Sequence, residues 1–364
     1  MRPDLGRLGA AALPVCAIAA VVVFVGATLA VAGDTLGFDF LAYHAAAARV
    51  LDGQPLYDTS FEAAGGFGLF YYPPPFLPLI LPFGALDATF ATWAWIAILL
   101  LAFVFGVLIL PVSRSIRWVI VLLAGVSWPF AYAIKLGQVG PLLFLAFAIG
   151  WRWLDRPAHL GASGAVGAAI KLQPGIILVW AVLTRRWRAA VIGGVVLAAL
   201  SVAATLLAGF AAWGDFMTLI SRVSDPIRTE HNLTPGAVAF QLGMSADVAA
   251  WVQLTSMAAV VGLVLVAVVW GTSESSYLVV VIASQLLSPI LWDHYAMLLL
   301  LPVAYLLSAG VRWAALIPLA TATPLIGVTP PATYPLAFVA TLVLTLVVGL
   351  RRPGTVLGRE ASFA

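Results

Sequence analysis

The chain has 364 residues, 63% of them hydrophobic and only 9% charged, with a net charge of +3. Soluble domains carry about a quarter of their residues as charges. This composition therefore excludes a water-covered globule and requires lipid over much of the surface. A single cysteine, Cys16, excludes an internal disulfide and a cysteine metal site.

Backbone in lipid is satisfied only by helices or closed barrels, and a crossing helix needs about 20 apolar residues. Runs such as 189–211 are continuously apolar rather than alternating, which selects helices. Twelve spans are expected, near 9–32, 88–110, 118–134, 139–151, 160–170, 174–184, 189–211, 247–270, 277–290, 294–309, 312–328 and 335–350. The first of these exceeds the roughly 7–15 apolar residues of a signal peptide, so it is read as a retained span. The expected fold class is an all-α integral membrane protein. It forms one polytopic domain over residues 1–350, with a short cytoplasmic tail at 351–364.

Arginines cluster between the apolar runs: Arg114 and Arg117, Arg152 and Arg156, Arg185, Arg186 and Arg188, Arg312, Arg351 and Arg352. Loops on the cytoplasmic side are enriched in this way. Placing these clusters inside leaves 11 of the 15 acids outside, among them Asp34, Asp39, Asp52, Asp58, Glu62 and Asp293. Two large outer loops result, 33–87 and 212–246, and chemistry is expected on that face. Segments 139–151, 160–170 and 174–184 are short for full crossings. At 1.5 Å per residue, 160–170 reaches about 16 Å against a core of about 30 Å. Broken helices at membrane depth imply a polar cavity, because irregular backbone there must be buried or wet.

The first outer loop opens with Gly37-Phe38-Asp39, and helical spacing sets Asp39, Tyr43 and His44 on neighbouring positions. Asp39 either faces a cleft as a functional carboxylate or caps the helix, for which aspartate is favoured. Arg49 follows on the same stretch. Pro73-Pro74-Pro75 forbids a continuous helix, so 76–83 reads as an interfacial or re-entrant element, with Tyr71 and Tyr72 at headgroup level.

The chain has two lysines, Lys135 and Lys171, both in the tetrapeptide Ala-Ile-Lys-Leu. Each ends a short span, Lys135 just before Gln138 and Lys171 just before Pro174. Lysine at membrane depth marks a site by default, with a phosphate as the natural partner of a compact ammonium. The alternative is snorkelling to the interface. Ser288-Pro289 breaks a later span and presents Asp293 and His294, a pair suited to acid/base work or to an ordinary turn. No histidine spacing supports a metal, and no phosphate loop or dinucleotide fingerprint points to a nucleotide or nucleic acid.

Several segments together resemble glycosyltransferase family 87. They are Asp39-Phe40, Tyr43 and Leu56-Tyr57-Asp58 within 39–58, Y-P-P-P-F at 72–76, G-Q-V at 137–139, A-I-K-L-Q-P at 169–174, R-R-W-R at 185–188 and S-P-x-x-W-D-H at 288–294. The family includes polyprenol-phosphate-mannose-dependent α-1,2-mannosyltransferases. The resemblance implies a GT-C fold, with inverting transfer of a hexose such as mannose from a polyprenyl-phosphate donor to a lipid or glycan acceptor. It also implies no cofactor and no obligatory metal.

On that resemblance, Asp39 is the catalytic base and His294 a further catalytic residue. Tyr43, His44, Arg49, Lys135, Gln138, Lys171 and Asp293 are candidate substrate contacts. Gly140 and Tyr295 depart from the family pattern, where asparagine stands in many members and a second histidine in some. The rival reading, a flippase of lipid-linked sugars, calls for inverted repeats and midplane charges. The Ala-Ile-Lys-Leu pair instead ends two spans of the same direction.

Overall fold

The computed structural model describes residues 5–60, 68–223, 225–322, 327 and 329–351; Glu62 and the tail beyond Arg351 lie outside these. All regular structure among the described residues is helical, and no strand occurs. Five helices are long and apolar enough to cross a membrane: Ala12–Ala30, Ala88–Ile109, Trp187–Ala208, Ala246–Trp270 and Thr333–Leu350. Their outer faces carry large bare side chains, with Val191, Leu206 and Trp251 each more than 60% exposed. Such a surface, on helices of this length, suits lipid.

Among the described residues helices stand at each of the twelve expected places, but length and composition allow five full crossings there, or six with a bent pair. The bent pair is Arg114–Gly125 with Trp128–Leu136, which meet at 68°. Ser127 between them is extended, and Pro129 opens the second helix without a donor to carry the ladder through. The expected span 118–134 is therefore two helices. Gly140–Arg152, with 13 residues, reaches only about 20 Å, and Gln173–Leu183 and Asp293–Ser308 are similarly short.

The middle of the molecule is the Ser273–Leu286 helix, buried at every position from Ser275 to Leu286. A helix apolar all round belongs in a core, and its few hydroxyls are used. Trp180 donates to Ser276 at 2.8 Å, and Tyr277 donates to the Phe147 carbonyl at 3.0 Å. The triproline segment forms a broken helical run, Pro74–Phe76, Leu77–Ile80 and Leu81–Ala85. Its first turn is buried against the Trp187–Ala208 helix.

Asn232 ties the segment that follows the Ala211–Val223 helix to the Pro289–Leu291 segment. Its amide donates to the Pro226 and Pro289 carbonyls at 2.6 and 3.0 Å, and its oxygen accepts from Leu291 and Thr234 at 2.9 and 3.1 Å. This fully satisfied, wholly buried amide holds the chain just before Asp293 in one position.

Candidate active site

The helix Phe38–Leu51 starts abruptly at Gly37, whose φ of +71° lies in the left-handed region. Gly37 donates to the Lys135 carbonyl at 2.7 Å, and a Cβ there would sit 2.5 Å from Thr92 Cγ2. The capping position thus belongs to Gly37, and no side chain caps this helix. Asp39, in the first turn, is free of the capping task and turns its carboxyl to Gln138.

Gln138 is aimed by its surroundings. The Trp128–Leu136 helix ends at Gly137, again left-handed at φ +69°, where a Cβ would meet Phe40 Cβ at 2.6 Å. Trp95 Nε1 donates to the Gly137 carbonyl at 2.8 Å. The Gln138 oxygen accepts from the Val139 amide at 3.2 Å and from the Tyr72 hydroxyl at 3.0 Å. Tyr72 in turn accepts from Tyr43 at 2.6 Å. With its oxygen engaged, the amide nitrogen of Gln138 is the group left to face Asp39. Tyr43, Tyr72 and Gln138 therefore form one buried relay behind the carboxylate. Tyr72 is part of this relay, because Tyr43 and Gln138 give its hydroxyl partners inside the protein.

Lys171 follows the last turn of the Pro157–Ile170 helix in extended backbone. It donates to the Tyr295 hydroxyl and lies over two rings, 3.9 Å from the Tyr295 centroid and 5.5 Å from that of Tyr72. Neither contact supplies a countercharge. Across the niche, Trp128 Nε1 donates to Asp293 Oδ2 at 2.8 Å. The other oxygen of Asp293 accepts from the His294 amide at 2.7 Å and lies 3.4 Å from His294 Nδ1. His294 is buried, and its Nε2 meets no hydrogen-bond partner in the protein among the described residues. Tyr132 stacks on Trp128 at 4.7 Å and meets the His294 ring edge-on at 6.1 Å.

Burial holds the Asp39 carboxyl above the usual carboxylate range. His294 first, then the Gln138 hydrogen bond and then Lys171 pull against that rise. The result is a half-buried carboxylate, more basic than a surface one, facing an amide donor, an imidazole and an ammonium. Such a cluster can take a proton from a hydroxyl and receive a negatively charged leaving group beside it.

Six sequence candidates thus gather in one niche: Asp39, Tyr43, Gln138, Lys171, Asp293 and His294. Lys135 borders it, 5.5 Å from the Tyr132 centroid. His44 and Arg49 have structural partners instead. His44 Nε2 lies 2.9 Å from the Leu86 carbonyl, while Arg49 donates to the Pro55 carbonyl at 2.9 Å and pairs with Asp58 at 3.5 Å. Sequence reasoning missed Trp128, Tyr132, the inward role of Tyr72 and the clamp at Asn232. Tyr295 stood out only as a departure from a pattern, and it proves to be the partner of Lys171. Among the described residues, no group of three acids, histidines or cysteines could hold a metal.

The sequence model of glycosyltransferase family 87 matches residues 70–292, more than half of the chain. The chain belongs to glycosyltransferase family 87. It is similar to a Mycobacterium tuberculosis protein named polyprenol-phosphate-mannose-dependent alpha-(1-2)-phosphatidylinositol mannoside mannosyltransferase. The two are 27% identical over 295 residues, covering 71% of this chain and 67% of that protein. No solved structure matches. The family 87 match takes in Tyr72, Gln138 and Lys171 and stops one residue short of Asp293. Asp39, Tyr43 and His294 fall outside it, so their part in the niche rests on the geometry alone.

Proposed function

We infer that this family 87 protein transfers a hexose, such as mannose, from a polyprenyl-phosphate sugar to a hydroxyl of a lipid or glycan acceptor at the outer face of the cell membrane. The observation that carries this reading is the half-buried Asp39 carboxylate with Gln138, His294 and Lys171 around it. The name of the mycobacterial relative supports the donor class. Asp39 takes the proton of the acceptor hydroxyl, and the oxygen attacks the anomeric carbon from the side opposite the phosphate. The bond to the phosphate oxygen breaks, its electron pair leaves with polyprenyl phosphate, and configuration inverts. Lys171 offsets the charge that develops on the leaving phosphate. His294, braced by Asp293 and Trp128, presents Nε2 to donor or acceptor.

Purified protein given radiolabelled polyprenyl-phosphate mannose together with extracted lipids and glycans transfers label, and given GDP-mannose or UDP-sugars alone it does not. Efficient transfer from a nucleotide sugar alone would overturn the donor assignment.

The side of the membrane is tested by cysteine labelling in a Cys16-free background. An impermeant reagent reaches a cysteine placed at the exposed Ser60, beside Asp58, and misses one at Ser113, which caps the Arg114–Gly125 helix. The reverse pattern inverts the protein and moves the niche to the cytoplasmic face.

A further inference from the structure

A cavity lies between the first helix, the Ala88–Ile109 helix and the Arg114–Gly125 helix, with a volume of about 470 Å³. That is within the range of roughly 300–1,000 Å³ typical of small-molecule sites. No residue around Asp39 lines it. Its walls are apolar, with Val22, Phe103, Val104 and Phe130 among them, and Val22 and Val104 are open to the lipid side. One end is different. There Arg114, Arg117 and Trp118 close the groove.

Three features of this groove point to one kind of occupant. The Ala88–Ile109 helix contributes lining residues from Leu100 to Leu108, a run of about 12 Å. That depth fits one leaflet of a core about 30 Å thick, not a crossing. Among the described residues no acid pairs with the charged end. Two nitrogens of Arg117 donate to the neutral Leu110 carbonyl at 3.1 and 2.7 Å, and neither Arg114 nor Arg117 forms a salt bridge among the described residues. Trp118 stands beside them, and tryptophan is enriched at the headgroup level. The first helix also widens into a π turn at Val21–Val25, where Val21 and Val22 border the groove, and such turns are frequent at functional sites.

We propose that this groove is a binding site for one anionic phospholipid of the leaflet on the Arg114 side, with an acyl chain along Val22, Phe103 and Val104 and the phosphate at Arg114 and Arg117. Basic pockets between transmembrane helices select anionic headgroups in this way. The site is independent of the transfer reaction.

The test uses the full chain, purified in dodecyl maltoside, stripped of lipid and offered equal amounts of dioleoyl phosphatidylglycerol and dioleoyl phosphatidylcholine. Native mass spectrometry counts what stays bound. One phosphatidylglycerol is retained in preference. Arg114→Gln and Arg117→Gln each lower that preference about fivefold, the effect of one basic residue near an anionic headgroup. Val104→Trp, a change at a lipid-facing position, fills the groove and abolishes retention of both lipids. Equal retention of the two lipids by the wild type overturns the proposal, as does phosphatidylglycerol binding undiminished in Val104→Trp or preference unchanged in both arginine variants. Displacement of phosphatidylglycerol by equimolar undecaprenyl phosphate would overturn it in favour of an isoprenoid carrier. A dimer lost in Val104→Trp would overturn it in favour of a second copy of the chain.

Discussion

Asp39→Asn lowers sugar transfer by about 10²–10⁴-fold, the usual contribution of a general base, while donor binding stays within a few-fold of wild type. The substitution keeps shape and leaves an oxygen to accept from Gln138, so the relay through Tyr72 and Tyr43 persists. Burial already favours the uncharged form at this position. The variant therefore keeps its fold, and its melting temperature moves little.

The pH profile gives a second readout. The base must be ionised to act, so the wild-type rate rises with pH through a value above the ordinary carboxylate range, and the variant loses this limb. The neighbouring acids are poorer candidates for physical reasons. Asp34 and Asp52 are exposed. Asp58 accepts from the Ser60 hydroxyl and amide, which hold its carboxyl below its ordinary value and make it a weaker base, with Arg49 adding to the effect. Near-normal transfer by Asp39→Asn alongside loss in Asp58→Asn would move the assignment.

Much of the architecture is legible in the amino-acid order because solvent dictates it. The run 88–110 returns as Ala88–Ile109 and 247–270 as Ala246–Trp270, since a helix in lipid must be apolar over its whole length. Crossing number is harder to read. The apolar run 118–134 hides a 68° bend at Ser127, and Pro129 alone does not announce how far the chain turns.

The site divides in the same way. Lys171 stands out because a charge is costly at membrane depth, and Asp39 and Gln138 because they fall in segments that resemble family 87. Their partners do not stand out. Tyr295 meets Lys171 across 124 residues and Trp128 meets Asp293 across 165. In a chain where 11% of residues are aromatic, nothing local distinguishes a ring that lines the niche from one that anchors in headgroups. Tyr72 shows the ambiguity most clearly. Next to Tyr71 in the chain it resembles an interface anchor, yet its hydroxyl joins Tyr43 to Gln138.

Lys171→Ala weakens binding of the polyprenyl-phosphate sugar by about 10–100-fold, the value of a hydrogen bond to a charged group, and slows departure of the phosphate. Three partners for this lysine are conceivable from its place after a half-length helix: a phosphate, a structural carboxylate, or the interface reached by snorkelling. Its contacts favour the first. It donates to the Tyr295 hydroxyl and lies over the rings of Tyr295 and Tyr72, which orient an ammonium without neutralising it. No carboxylate forms a salt bridge with it among the described residues, although Asp39 lies within its field.

A structural ion pair would make Lys171→Ala chiefly a stability defect, because the abandoned acid stays buried. A snorkelling lysine would make it silent. A phosphate ligand predicts a loss in donor affinity with a small change in melting temperature, and partial recovery in Lys171→Arg, which keeps the charge with a different geometry. The field at Asp39 supplies an independent check. Lys171 pulls that carboxyl down, so its removal raises the base further, and the acid limb of the pH profile shifts upward in Lys171→Ala but not in Lys171→Arg. Unchanged donor affinity together with an unmoved pH limb in Lys171→Ala would remove this residue from the site.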